Sequence, residues 1–279
     1  MGVAAGYAFT CGMTQKRCIR GDGHLHIYPV HCWALALRSL LRNLGGEAEE
    51  CVRIGLLTEA VDCHFFEQVW SRPENYSLPE LQLVPGPEPD CLCINTPAGT
   101  AGYLLAGRQV VSRERLEVLA LTTSAGWRED APVAELLTGI RERGAVPVLA
   151  WSPGKWFGAR GRVVARFLAT QAPEAFLLGD TSLRPLGWPL PRLMRYGKRR
   201  GFRVLPGSDP LPCTGEETLP GSYGFVAEAE FDPRHPVASV RRLLLDPSVA
   251  LRPAGRRSGM GQFLRRWTRA RYRRGTYGR

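Results

Sequence analysis

Apolar positions along this chain fall into short runs and helical stripes that alternate. In CWALALRSLLRNL, positions 33, 37, 40, 41 and 44 are apolar, the three-and-four spacing of a helix that Gly45-Gly46 stops. The preceding stretch, GDGHLHIYP at 21 to 29, reads as an extended segment ended by Pro29, which has no N–H to donate. Residues 51 to 58 (CVRIGLLT) predict a second strand and 62 to 70 (DCHFFEQVW) a helix, followed by an irregular Pro-rich section from 73 to 89. Residues 91 to 94 and 103 to 106 predict two short strands joined by a Pro97-Ala98-Gly99-Thr100 turn, within an antiparallel insert at about 80 to 112. From Leu116 the rhythm is regular. Strands at 116–121, 145–151, 175–178, 203–205 and 223–227 alternate with helices at 132–143, 161–170, 189–200 and 236–245. About seven βα units without a Gly-x-Gly-x-x-Gly motif favour an α/β barrel over a doubly wound sheet.

Composition bounds this picture. A chain of 279 residues with 44% hydrophobic residues and seven Trp can bury a sizeable core as one large domain. No run approaches the roughly 18 apolar residues that span a bilayer. Residues 1–18 read as an N-terminal extension in which Met13 offers an alternative start. Its apolar patch has no basic region ahead of it, against a secretory signal, and Gly6 stands where myristoylation wants Ser or Thr. The eight cysteines, at 11, 18, 32, 51, 63, 91, 93 and 213, form no C-x-x-C pair, which predicts reduced thiols in a cytoplasmic protein. Ten arginines and no acidic residue follow position 251, so the net charge of +11 lies almost wholly in the tail.

Candidate chemistry gathers at strand ends. Side chains two apart in an extended segment share a face, about 7 Å apart along the backbone, so His24 and His26 can converge on one metal ion. In a parallel barrel the working groups sit where strands finish. This chain places there His24 and His26, Glu59, Ser152-Pro153-Gly154-Lys155, Asp180 and Asp209. The alternative for each carboxylate is a helix N-cap. His31 follows the first strand and could supply a further ligand; His64, beside Phe65 and Phe66, reads as a packed core histidine, and His235 as surface. Arg108, Lys155 and Arg184 are cations at predicted strand ends or loops, suited to an anionic substrate. Trp151, Trp156 and Trp188 could stack a sugar or base, or pack in the core.

GDGHLHIYP, VPVLAWSPGKW and VLPGSDPLP, in that order, resemble the polymerase-and-histidinol-phosphatase (PHP) domain of metal-dependent hydrolases over roughly residues 19 to 246. The resemblance implies a distorted seven-stranded TIM-like barrel, here spanning 19–250, whose zinc, manganese or iron ions activate a water to attack a phosphate ester. It maps the family's histidine pair onto His24 and His26 and its late aspartate onto Asp209. Ser152-Pro153 stands where the family has His-Pro, and Pro210-Leu211 where it has the end of Asp-x-His. With five histidines in all, one divalent ion on His24, His26 and Asp209, with Glu59 or Asp180, is what the sequence supports. Asp209 or Asp180 would then accept a proton, with Lys155 catalytic, and Ser152, Lys155, Arg108 and Arg184 would bind substrate. A non-catalytic ligand-binding or scaffold protein is the alternative. The tail, residues 251–279, interleaves Arg with Phe263, Leu264, Trp267 and Tyr272. It suits a nucleic acid or an anionic membrane surface, or stands as an unpartnered disordered end.

Overall fold

A computed structural model describes residues 16–45 and 51–277, with side chains to residue 269. The expectations on residues 1–15 therefore lie outside it. The strands are β1 (Lys16–Leu25), β2 (Val52–Leu57), β3 (Ser77–Leu78), β4 (Leu81–Pro85), β5 (Cys91–Thr96), β6 (Gly99–Leu105), β7 (Gly107–Val111), β8 (Glu117–Leu121), β9 (Val146–Ala150), β10 (Leu177–Thr181), β11 (Val204–Gly207), β12 (Tyr223–Glu230) and β13 (Arg252–Gly255). The helices are α1 (Trp33–Leu44), α2 (Phe65–Ser71), α3 (Val133–Glu142), α4 (Gly158–Thr170), α5 (Arg192–Arg199), α6 (Pro236–Leu245) and α7 (Met260–Tyr277). Periodicity located most of them, but β3 and β4 form inside the Pro-rich stretch expected to be irregular, and β13 lies in the segment expected to be tail.

The expected closed (β/α)7 barrel does not form. Strand pairing yields two mixed sheets, ordered β13-β12-β1-β2-β6-β5-β4-β3 and β11-β10-β9-β8-β7. Two features of the pairing explain this. β12 returns antiparallel along β1 and takes that edge, and β7, β8 and β9 pair antiparallel in succession. Parallel pairing survives in β1–β2–β6 and in β9–β10–β11. The sheets touch through a bridge between Glu59 and Arg108, and through the Asp209 N–H donated to the His24 carbonyl at 2.8 Å.

Alternating side chains of each strand serve two cores. Ile54, Leu56, Leu119, Val148, Leu205 and Phe225 meet between the sheets, where Val240 and Leu244 of α6 close one end. Arg203, just before β11, holds that end by donating to the Leu244 carbonyl at 2.6 Å. On the outer face of the larger sheet, Leu57, Leu92 and Leu104 pack with α1 and α2. On the other, Val118, Leu149 and Leu178 pack with α3, α4 and α5. Each such fully buried aliphatic side chain contributes roughly 1.5–3 kcal/mol. The carboxyl ends of β1, β2 and β9–β11, away from α6, are left for polar groups.

Cys18 and Cys51 form a disulfide, Cα–Cα 4.6 Å, which corrects the expectation of reduced thiols for this pair. The cause is pairing: Ile19 lies opposite Val52 in the β1–β2 ladder, so the preceding cysteines lie side by side.

Candidate metal centre

Two glycines bring the ends of β1 and β11 together. A Cβ on Gly207 would stand 2.3 Å from the His24 backbone nitrogen, and one on Gly23 would stand 2.6 Å from the Pro206 carbonyl oxygen. Only bare backbone permits that approach. Asp22 then latches the strands. Its carboxylate accepts from the backbone N–H of Ser208 and of Gly221, each at 2.8 Å, and from that of His24 at 3.2 Å, besides the Ser208 hydroxyl. Burial nevertheless dominates and pushes its pKa up to about 6. Asp209 follows with φ +50°, a left-handed conformation costly for a non-glycine residue and typical of positions fixed for function.

His24, His26 and Asp209 converge as a result, 185 residues apart along the chain at the widest. Their ligand atoms all lie within 4.8 Å of one another, and all three residues are buried. The two Nε2 atoms are 3.1 Å apart, and each stands 3.7 Å from Asp209 Oδ1. These separations bracket about 3.4 Å, the edge of a tetrahedron whose ligands stand about 2.1 Å from its centre, as around zinc. Desolvation, then the neighbouring His24, holds His26 well below the ordinary histidine range, which keeps that ring neutral with a lone pair to give. Burial raises Asp209, with Glu117 adding to it while His24 and Arg266 oppose. The Nδ1 atoms of both histidines are buried without a partner among the described residues, so the outward nitrogens lack the carboxylate or carbonyl that commonly orients a ligating histidine.

The remaining sequence candidates take other positions. Glu59 points its carboxylate at the Phe66 N–H, 3.1 Å, and at Arg108 Nη1, 3.6 Å, and is not in the converging group. Arg108 also donates to the Cys63 carbonyl. Asp180 is held by Arg184 through two bonds, 2.8 and 2.6 Å, and by the Tyr223 hydroxyl at 2.8 Å. Ser152 donates to Glu117 at 2.7 Å, and Lys155 Nζ lies 3.4 Å from the same carboxylate. His31 sends Nε2 to the Leu211 carbonyl, 3.0 Å. His64 is half exposed beside Glu67, not a core histidine, because it sits at the cap of α2 rather than within it. His235 is exposed as expected. Trp151 and Trp156 are buried, while Trp188 is 43% exposed.

Sequence reasoning missed Gln109, whose Oε1 lies 3.0 Å from His24 Nε2, and Thr58, whose hydroxyl lies 3.4 Å from His26 Nε2. It also missed Asp22, Glu117 and Arg266. For Thr58 the signal was available, since it ends the same apolar run as Glu59. Arg266 of α7 is 3% exposed. Its guanidinium reaches Glu216, the Ser182 and Ser258 hydroxyls and the Asp209 carbonyl, the last at 2.8 Å.

The fold and this site define an α/β protein with a buried His-His-Asp group that could hold a metal ion. No protein-family model matches the sequence, and no curated protein matches it either. Among solved structures the chain is similar to PsfC from Pseudomonas syringae, with TM-score 0.53 and 13% identity over 94% of this chain and 99% of that one. The likeness shows a shared fold and nothing about chemistry. Looser still are the lesion-specific endonuclease PfuEndoQ from Pyrococcus furiosus and a Bacteroides vulgatus two-domain protein. PfuEndoQ has TM-score 0.47 and 9% identity, over 85% of this chain and 59% of that one. The Bacteroides protein, containing a predicted PHP-like metal-dependent phosphoesterase, has TM-score 0.45 and 11% identity, over 90% and 70%. No helix is long and apolar enough to cross a membrane among the described residues.

Proposed function

We propose that this chain is a metal-dependent hydrolase of the PHP type, acting on an anionic small-molecule phosphoester. The observation that carries the reading is the convergence of His24, His26 and Asp209 at the spacing of a tetrahedral ligand set. Neutral imidazole nitrogens with a carboxylate suit zinc, manganese or iron(II). Such an ion supplies Lewis-acid polarisation of the ester and a nucleophilic water near neutral pH. Gln109 and Thr58 flank the histidines and orient what enters there. Lys155, at the end of β9 and partly exposed, and Arg108, fixed by the Cys63 carbonyl, meet the negative charge of the substrate. Asp180 has both oxygens occupied by three donors, so it acts as a strut between β10 and β12, and Asp209 serves as ligand.

Metal analysis of protein purified without chelator tests this, followed by turnover of p-nitrophenyl phosphate and bis-p-nitrophenyl phosphate with added zinc, manganese or iron(II). One ion per chain with metal-dependent turnover is expected, and both should be lost in His26→Ala. Absence of any bound ion, with no metal restoring turnover, refutes the proposal. An ion without turnover refutes the hydrolase and leaves the ligand-binding scaffold.

A further inference from the structure

The charge of this chain is not confined to its end. Between Ser152 and Ser208 stand eleven Lys or Arg and two acidic residues, Glu174 and Asp180. Asp180 is consumed by Arg184 and Tyr223. The near-neutral average of residues 1 to 251 thus hides a strongly positive segment balanced by acids elsewhere.

Helices α4 and α5 carry that charge on one side of the molecule. Both cross from parallel strands of the β9–β10–β11 group, so they run side by side over the same sheet face. They approach closely: a Cβ on Gly197 of α5 would stand 3.1 Å from Leu168 of α4. Apolar residues face the sheet, and Arg162, Arg166, Arg192, Arg195, Lys198 and Arg199 are exposed. None of the six meets a carboxylate among the described residues. An uncompensated field of this size repels itself and lowers stability unless an anion neutralises it.

The amino ends of α4 and α5 lie at the carboxyl ends of β9 and β10, the end that carries Asp209. Large apolar side chains stand exposed there: Phe157 at 67%, Leu186 at 54% and Trp188 at 43%. Trp188 is braced from behind by the Phe263 ring, 5.8 Å away, and its carbonyl is held by Arg184. Trp188 packs on Phe263, which meets Trp267 in turn, while Phe157 stands exposed at the cap of α4. Exposed aromatic faces beside a row of guanidinium groups match a flexible phosphodiester backbone with unstacked bases.

We propose that the α4–α5 face, with Phe157 and Trp188 at its rim, binds single-stranded nucleic acid. The arginines neutralise backbone phosphates and the two rings stack bases. Binding of this kind is independent of a metal ion, so it is measured in chelator and stands or falls apart from the hydrolase reading. The test is fluorescence anisotropy of the full chain with a labelled single-stranded 20-mer across a salt series, with phosphatidylserine-containing vesicles in parallel. Release of at least four counterions predicts a log–log salt slope of about −3. Arg162→Gln/Arg166→Gln/Arg195→Gln/Arg199→Gln should weaken binding at least tenfold and flatten the slope. Phe157→Ala should weaken it about tenfold with the slope unchanged, since a base stack carries no charge. Circular dichroism checks that both variants remain folded; six exposed, unpaired positions make Lys198→Gln with Arg192→Gln the replacement set should the first not fold. Equal binding by wild type and the quadruple variant overturns the proposal. Vesicle binding without oligonucleotide binding overturns it in favour of a membrane.

Discussion

Removing the Arg266 guanidinium should unfold a large part of this protein's stability margin, although the residue lies in an arginine-rich terminal helix. Its Nε donates to both oxygens of Glu216 at 3.0 Å, and its Nη2 lies 2.8 Å from one of them. Nη1 donates to the Ser182 and Ser258 hydroxyls at 2.9 and 2.8 Å. In Arg266→Met the stem is kept and the charge is lost, which leaves Glu216 buried and uncompensated. Breaking one side of a buried ion pair costs about 3–5 kcal/mol. That is a fifth or more of the roughly 5–15 kcal/mol holding a domain together, and corresponds to about 10 °C in melting temperature for a chain of this size. Urea titration followed by far-ultraviolet circular dichroism measures the loss. If the penalty is the stranded carboxylate, Glu216→Gln added to Arg266→Met should return the cost to about 1–2 kcal/mol, the value of lost neutral hydrogen bonds. A single variant costing under about 1 kcal/mol, or a double as damaged as the single, would show that the stranded carboxylate is not the cause.

Other consequences follow from the same geometry. Gly207→Ala sets a methyl against the His24 backbone, so it should cost about 2–3 kcal/mol from overpacking and weaken zinc binding more than tenfold, read by calorimetry. Reduction or Cys18→Ser removes a cross-link between residues 33 apart and should cost about 4 kcal/mol on the chain-entropy account; alkylation and mass spectrometry should find these two thiols blocked until reductant is added. Asp209→Asn should leave metal-free stability unchanged or higher while abolishing metal-induced thermal stabilisation; a loss beyond about 2 kcal/mol without metal would show the carboxylate to be structural.

Local periodicity made most helices and strands legible, and it placed His24, His26 and Asp209 at strand ends. Their convergence was not readable from it, because it depends on Gly23 and Gly207 admitting β11 against β1. The sheet order was hidden for a related reason. A run such as 223–227 has the same alternation whether it pairs parallel or returns antiparallel along β1, and only long-range register distinguishes the two. The disulfide depended on β1 and β2 being neighbours. Arg266 could not be told from Arg265 or Arg269 by composition, since burial of one arginine in a helix is fixed by what the helix docks against.

Charge pairing separates the site from its surroundings more sharply than residue type does. At the same end of the molecule, Glu59 faces Arg108, Glu117 faces Lys155, Asp180 faces Arg184 and Glu216 faces Arg266. Asp22 meets no cation among the described residues but is satisfied by three backbone N–H groups and a hydroxyl. Among the described residues the Asp209 carboxylate forms neither kind of contact and meets two histidine nitrogens, one of them on a ring that burial keeps neutral. A buried carboxylate beside a ring that burial keeps neutral is costly until a cation stands with it. Folding nevertheless forces it there, through the Asp22 latch, the glycine contacts and the Arg266 bond to its own carbonyl. Three devices thus hold in place a carboxylate that burial disfavours, beside two histidines with which it could hold a metal ion.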